Sequence, residues 1–261
     1  MAFPRAIQTL SLFKARMHPI VVIPARMAAS RLPGKPLLDI GGVPMILRAL
    51  KQAEEADIGP VAVAAGDAEI AWAVESAGGR AVLTDPDLPS GSDRIRAALN
   101  ELDPDGRHDV VINLQGDIPF VDPGIVRACA ELLVEQPTCD ISTLIAMEGS
   151  PKERTDPDCP KALVALAPGQ RTGRALYFTR STLFGDGPVW RHIGIYGYRR
   201  QALEQFTAAP PSPLERREKL EQLRALELGL SIWATVADAM PMEVNNQAEL
   251  DAARAYAEQN L

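Results

Sequence analysis

The sequence predicts an α/β fold: a mostly parallel sheet flanked by helices, with a smaller antiparallel insertion. Three observations carry the prediction. Ile20–Ile23 and Val110–Leu114 are charge-free apolar runs of the kind that a parallel sheet buries on both faces. Around them, strand-like runs alternate with stretches whose apolar residues recur at helical spacing, the rhythm of βαβ units. From Lys161 to Tyr198 the rhythm changes, and the segments 161–166, 175–179 and 189–198 alternate in the manner of antiparallel strands. Residues 18–261 are expected to form one domain with 151–200 as its insertion. Residues 1–17 are expected to be an extension outside the chemistry, with Met17 as an alternative start.

The elements follow in order. After Ile20–Ile23, Pro24 cannot donate to a sheet ladder, and Pro33, Gly34 and Pro36 keep the next segment out of a helix. The strand therefore runs into a loop of about a dozen residues. Gly41 and Gly42 make a turn, and Pro44 opens a helix whose inner side is Ile46, Leu47, Leu50 and Ala53. Val61–Ala65 is the second strand, Asp67 caps a helix that stops at Gly78 and Gly79, and Arg80–Leu83 is a short third strand. Ser90-Gly91-Ser92-Asp93 precedes a helix carrying Ile95, Ala98, Leu99 and Leu102. Val110–Leu114, the clearest central strand, is followed by a helix from Pro123 to Glu135, a strand over 140–146, and the proline-rich stretch 151–160, where the chain leaves the main sheet. Beyond the alternating segments, Ser212 and Pro213 start a helix with Leu220, Leu223 and Leu226 on its stripe. Residues 231–236 return as a strand, and a helix over 247–258 turns Leu250, Ala253 and Ala257 inward.

A net charge of −7 and a pI near 5.1 argue against general nucleic-acid binding, which wants a basic face. No apolar run approaches the roughly 20 residues needed to cross a bilayer, so a membrane partner is not expected either. Cys129, Cys139 and Cys159 lack metal-ligand spacing, and an odd number fits poorly with a complete set of disulfides. Reduced thiols in a cytoplasm are the simpler reading, ahead of a catalytic cysteine served by His18, His108 or His192.

Positive charge is instead local. Arg26, Arg31 and Lys35 share the loop after the first strand with no acid among them, a pattern for a multiply anionic ligand at the carboxyl edge of an α/β sheet. After the central strand, Gly116 lets the backbone come close to a ligand, and Asp117 follows it. That carboxylate reads either as a divalent-ion ligand on phosphates or as a turn residue bonding its own backbone. Ser90-Gly91-Ser92-Asp93 reads by itself as a helix cap, Arg180 and His192 as surface or structural residues, and Glu221 with Gln222 as a solvated helix face. No Gly-x-Gly-x-x-Gly follows the first strand, which speaks against a dinucleotide-dependent dehydrogenase.

Ala25-Arg26-x-x-x-Ser30-Arg31-Leu32-Pro33-Gly34-Lys35-Pro36 resembles the opening signature of the nucleotidyltransferases that activate acidic sugars. Two further stretches are similar to the 3-deoxy-manno-octulosonate (Kdo) cytidylyltransferases within that family. They are Arg191-His192-Ile193-Gly194-Ile195-Tyr196-Gly197-Tyr198, and Ser212-Pro213-Leu214-Glu215 followed by Leu220-Glu221-Gln222-Leu223-Arg224. The similarity runs from about Ile20 nearly to the end. It implies a Rossmann-like nucleotidyltransferase sheet, coupling of CTP to an acidic sugar with release of pyrophosphate, Mg2+ as cofactor, a homodimer, and a place in lipopolysaccharide biosynthesis. The resemblance further implies catalytic roles for Arg26, Lys35 and Asp117, and nucleotide contacts from Ala25, Arg26, Ser30, Arg31, Lys35, Ser92, Arg94 and Gln115. Sugar contacts are implied for Gln115, Arg180, His192, Tyr196, Glu221 and Gln222, and metal ligation for Asp117 and Asn245. Two positions depart from the family pattern. Asn245 stands where the family has Asp, and Ile118 stands where many relatives have Glu. A neutral amide oxygen is a poorer magnesium ligand than a carboxylate. Two alternatives therefore stand: the same chemistry on a Kdo analogue or another acidic sugar, and a nucleotide-binding homologue with impaired transfer.

Overall fold

The computed structural model describes residues 17–28, 31–148 and 150–260. The expected extension therefore lies almost wholly outside the described residues, as does Ser30. The chain forms two compact units: one runs to Arg127 and resumes at Pro241, and the other is Ala128–Met240.

In the first unit the apolar run Ile20–Ile23 is the centre of strand β1 (Pro19–Ala25), and all four side chains are removed from solvent. β2 (Asp39–Ile40) and β3 (Val43–Pro44) form a small hairpin. Its turn is made by Gly41 and Gly42, both at positive φ, the conformation that a tight hairpin demands and a side chain resists. β1 pairs in parallel with β4 (Val61–Ala65) on one side and β6 (Val110–Asn113) on the other, and β5 (Ala81–Leu83) extends the ladder beyond β4. Helices α1 (Met45–Glu55), α2 (Ala68–Ser76) and α3 (Gly91–Leu102) bury Ile46 and Leu50, Ile70 and Val74, and Ile95 and Leu99 respectively. Helix α4 (Pro123–Glu135) carries the chain onward.

The second unit contains β7 (Ile141–Met147), β8 (Lys161–Ala165), β9 (Thr172–Thr179), β10 (Trp190–Arg199) and β11 (Ile232–Val236), in the order β10-β7-β11-β9-β8. Between β10 and β11 lie α5 (Arg200–Ala208), α6 (Pro213–Glu218) and α7 (Gln222–Glu227). The chain closes in the first unit with α8 (Gln247–Asn260). Its Leu250, Ala253 and Ala257 form a cluster with Leu32, Ile40, Met45 and Val244.

The α/β class stands, but the strand pairing is mixed instead of mostly parallel. β7 pairs with β11 in parallel, whereas β10 with β7, β11 with β9, and β8 with both β9 and β10 are antiparallel. For β8 and β9 the cause is connection length: a parallel return needs a crossover of a dozen or more residues, usually a helix, and the chain between them supplies only a turn. Two local readings also change. Asp67 sits at the N-cap position of α2 without capping it, because its carboxylate accepts the Met27 N–H at 2.7 Å. The single helix expected after Ser212 is broken in two: Lys219 takes a left-handed conformation (φ 56°) and its N–H closes on the Glu215 carbonyl at 2.7 Å. Helix α5 was not anticipated from the sequence.

An ion pair bridges the break. Glu215 completes a capping box with Ser212 and receives Arg224 through both oxygens, Nη2 at 2.6 Å and Nε at 2.8 Å. Arg224 is almost fully buried and lies over the Phe206 ring. Removing the carboxylate strands a buried guanidinium, so Glu215→Ala should lower unfolding free energy by about 3 kcal/mol in urea titration.

Candidate active site

From β1 the chain moves one way to β4 and β5, then returns to place β6 on the opposite side of β1. Where the order reverses, the loops leaving the carboxyl ends of adjacent strands diverge and open a crevice. The loop after β1 and the loop after β6 carry the two charged motifs. Gly34 (φ 68°) and Pro36 then fold Lys35–Leu37 into a 3-10 turn. Lys35 Nζ reaches Asp117 Oδ2 at 2.6 Å and stands 3.4 Å from Asn245 Oδ1. Asn245 is delivered by the main chain, since the Val244 N–H donates to the Asp117 carbonyl at 3.0 Å. A Cβ at Gly116 would come within 3.0 Å of Ile46 and 3.5 Å of the Pro24 carbonyl, so this glycine lets the Asp117 loop press against β1.

The resulting cleft is about 330 Å³, the size of a small-ligand site. It is lined by Ala25, Arg26, Arg31, Lys35, Arg94, Gln115, Asp117 and Asn245. Lys35 and Asp117 keep 18% and 25% of their side chains exposed, so their pairing does little for stability and leaves both open to a ligand. Arg26 and Arg31 are exposed on the same cleft. Gln115 is oriented by Asn113, to whose Oδ1 it donates at 2.8 Å.

One expected nucleotide contact is displaced from the cleft. Ser92 is completely buried, and Ser90 and Gly91, one step earlier at the start of α3, line the cleft instead. Ser90 is the true cap, accepting the Asp93 N–H at 3.2 Å. Arg94 lines the cleft but is 2% exposed, and its guanidinium donates to Thr84 Oγ1 at 2.6 Å and to the carbonyls of Asp85 and Pro86 at 2.9 and 3.1 Å. Burial, and then the Arg26 charge, push its pKa down. Gly66 makes room for it, because a Cβ there would lie 2.7 Å from Arg94 Nη1. Arg94 thus holds the loop after β5. Leu88 is a contributor that sequence reading missed, while Ser90, legible from its Ser-x-x-Asp cap pattern, lines the cleft as well.

The expected sugar contacts other than Gln115 belong to the second unit. There the ring centroids of His192 and Tyr196 are 5.3 Å apart. His192 is 7% exposed and bonded to Thr143, and burial pushes its pKa down to about 3, so the ring is neutral. A neutral imidazole can hold hydroxyls but brings no charge to a carboxylate. Burial raises the Tyr196 phenol well above its ordinary value, with Tyr198 and Glu221 adding to the effect. Gln222 is buried, and its Nε2 has no hydrogen-bond partner among the described residues. The solvated-face reading therefore fails for Gln222. A buried amide donor left unpaired calls for a partner that the described residues do not supply. Arg180 donates Nε to the Glu218 carbonyl at 3.1 Å and Nη1 to that of Pro157 at 2.8 Å, which ties much of its guanidinium to the backbone. All three cysteines are buried and free, and burial raises the thiols of Cys129 and Cys139 to about 12, which leaves neither fit to be a nucleophile.

A family profile described as cytidylyltransferase matches residues 20–232. The chain belongs to the cytidylyltransferase family. Within that family it groups with the 3-deoxy-manno-octulosonate cytidylyltransferases. That of Rhodospirillum centenum is 59% identical over 242 residues, covering 92% of this chain and 94% of its own. That of Parvibaculum lavamentivorans is 57% identical over 239 residues, covering 91% and 92%. Among solved structures, CMP:2-keto-3-deoxy-manno-octonic acid synthetase complexed with CTP superposes with a TM-score of 0.85 at 35% identity, covering 94% of this chain and all of that one. A nucleotidyl transferase from Methanothermobacter thermautotroptrophicus shares the fold, with a TM-score of 0.64 at 18% identity over 94% of this chain and all of its own.

The Arg94 anchor can be tested directly. A lysine carries a point charge and cannot reach three acceptors, so Arg94→Lys should cost roughly 2 kcal/mol of stability in urea titration.

Proposed function

We propose that this protein couples CTP to Kdo, giving CMP-Kdo and pyrophosphate for lipopolysaccharide biosynthesis. The observation that carries the reading is the 2.6 Å contact of Lys35 with Asp117, in a cleft flanked by Arg26 and Arg31, within a chain so similar to the Kdo cytidylyltransferases. The anomeric hydroxyl of the sugar attacks the α-phosphorus in line and gives up its proton to solvent, the bond from that phosphorus to the β-phosphate oxygen breaks, and pyrophosphate leaves. Such transfer depends on bringing two anions together and stabilising the added charge, with no covalent nucleophile needed. Arg26 and Arg31 neutralise the triphosphate. Lys35 keeps Asp117 oriented and offers an ammonium to the departing phosphates.

The donor set suits Mg2+ held jointly with phosphates. Asp117 supplies a hard charged oxygen and Asn245 a neutral one, while no group of three His, Cys, Asp or Glu among the described residues could hold an ion unaided. When bound, the ion screens the repulsion between sugar acid and triphosphate. In the second unit, neutral His192, Tyr196 and the unpaired Gln222 amide suit sugar hydroxyls, with Glu221 beside them as an acceptor and Arg180 for the carboxylate. The buried free thiols suit a reducing cytoplasm.

A homodimer completes the reading. Leu163 and Leu176 are exposed on the antiparallel pair β8 and β9, beside a groove that also contains Leu166, Leu183 and Trp190. An apolar surface of this kind suits a second copy of the chain.

Purified protein given CTP, Kdo and Mg2+ should release pyrophosphate, and Asp117→Asn should slow release roughly 100-fold. No release by the wild type overturns the reading. CTP binding in calorimetry without turnover, with activity appearing in Asn245→Asp, would favour the binding homologue. In sedimentation velocity the wild type should run as a dimer and Leu176→Glu as a monomer; a monomeric wild type removes the dimer.

A further inference from the structure

Strand β10 does not run straight past β7. His192 lies opposite Ile145 and Ile193 opposite Leu144, but the next pair is Tyr196 with Thr143, so Gly194 and Ile195 are extra residues that bulge out of the ladder. In an extended strand, residues four apart are separated by about 13 Å. The bulge takes up that length and brings the His192 and Tyr196 rings to 5.3 Å. His192 and Tyr196 pair with Ile145 and Thr143, which are two apart on β7, so the Thr143 side chain shares their face.

The Thr143 hydroxyl is completely buried and has three polar neighbours: the Ile195 carbonyl at 2.9 Å, the Ile193 carbonyl at 3.2 Å and His192 Nε2 at 2.9 Å. It owns one proton. Both carbonyls are acceptors only, and each can hold the Thr143 oxygen only by taking its proton. If Thr143 gave its proton to His192, both carbonyl oxygens would face bare lone pairs inside the protein. The arrangement closes only when Thr143 donates to the bulge and accepts from the ring, which puts the imidazole proton on Nε2. Phe178, edge-on to His192 at 4.9 Å, and Tyr196 pack against the ring.

We propose that Thr143 is the positioning residue of the sugar site: its hydroxyl pins the β10 bulge and holds His192 as the Nε2–H tautomer, so that Nδ1 presents a lone pair to a hydroxyl of the acidic sugar. The sugar contact rests on the cytidylyl-transfer reading, whereas the tautomer does not. Thr143 touches no reacting atom. Its effect is to make His192 an acceptor, which favours a ligand offering a hydroxyl and disfavours one offering only carbonyl or carboxylate oxygen at that place.

The chain has three histidines, so 15N-histidine labelling with His18→Gln and His108→Gln variants isolates the His192 ring signals. In the wild type the long-range 1H–15N pattern should show protonated Nε2 and bare Nδ1, and saturation with Kdo and CTP should shift the Nδ1 resonance. Thr143→Val should abolish the single-tautomer pattern and raise KM for Kdo roughly tenfold with KM for CTP unchanged, and Thr143→Ser should restore both. A wild-type ring protonated on Nδ1 overturns the proposal without need of any variant. So does a Thr143→Val enzyme with unaltered KM for Kdo, or an Nδ1 signal indifferent to the sugar in an enzyme that turns it over. A wild type that fails to turn over Kdo overturns the transfer reading and the sugar contact together, and the tautomer signal separates that failure from an error about Thr143.

Discussion

Two anions do not approach one another unless something between them carries the opposite sign. In an acidic chain that sign must be concentrated, and the strand-order reversal around β1 is where the first unit concentrates it. Loops from the ends of β1 and β6 meet there, one bringing Arg26, Arg31 and Lys35 and the other Asp117. Lys35 and Asp117 in contact are worth little as a surface ion pair. Their value is positional: each keeps the other aimed into the crevice, and neither loop would have a reason to lie against its neighbour without the parallel pairing beneath it.

Much of the surrounding structure serves that placement. Gly116 removes the one atom that would hold the Asp117 loop away from Ile46, Val244 ties Asn245 to the same loop, and Arg94 uses its buried guanidinium to hold the chain after β5. The second unit follows a different logic. There His192 is buried and neutral, Gln222 is buried with one donor unpaired among the described residues, and a bulge instead of a loop sets the spacing of His192 and Tyr196.

The sequence was most legible where one physical preference acted alone. Ile20–Ile23 and Val61–Ala65 could satisfy burial only as strands, and Leu250, Ala253 and Ala257 could share a face only on a helix. Ser90 was legible as a cap because its partner Asp93 is three residues away. Readings failed where a distant group competed. Asp67 lost its capping role to the Met27 N–H, forty residues earlier. Arg94 lines the cleft, but nothing local reveals that Thr84, Asp85 and Pro86 would claim its donors. Ser92 was assigned by motif, yet the helix that begins at Gly91 turns it inward.

By itself the sequence determined the α/β class, the family, the local concentration of cations and the positions of the turns, because periodicity, charge and glycine or proline chemistry act over a few residues. Tertiary structure alone decided that Lys35 meets Asp117, that His192 is neutral and bonded to Thr143, and that β10 pairs antiparallel with β7 and β11 with β9. Each of these depends on groups far apart in the chain, whose desolvation and hydrogen bonding exist only after the sheet has brought them together.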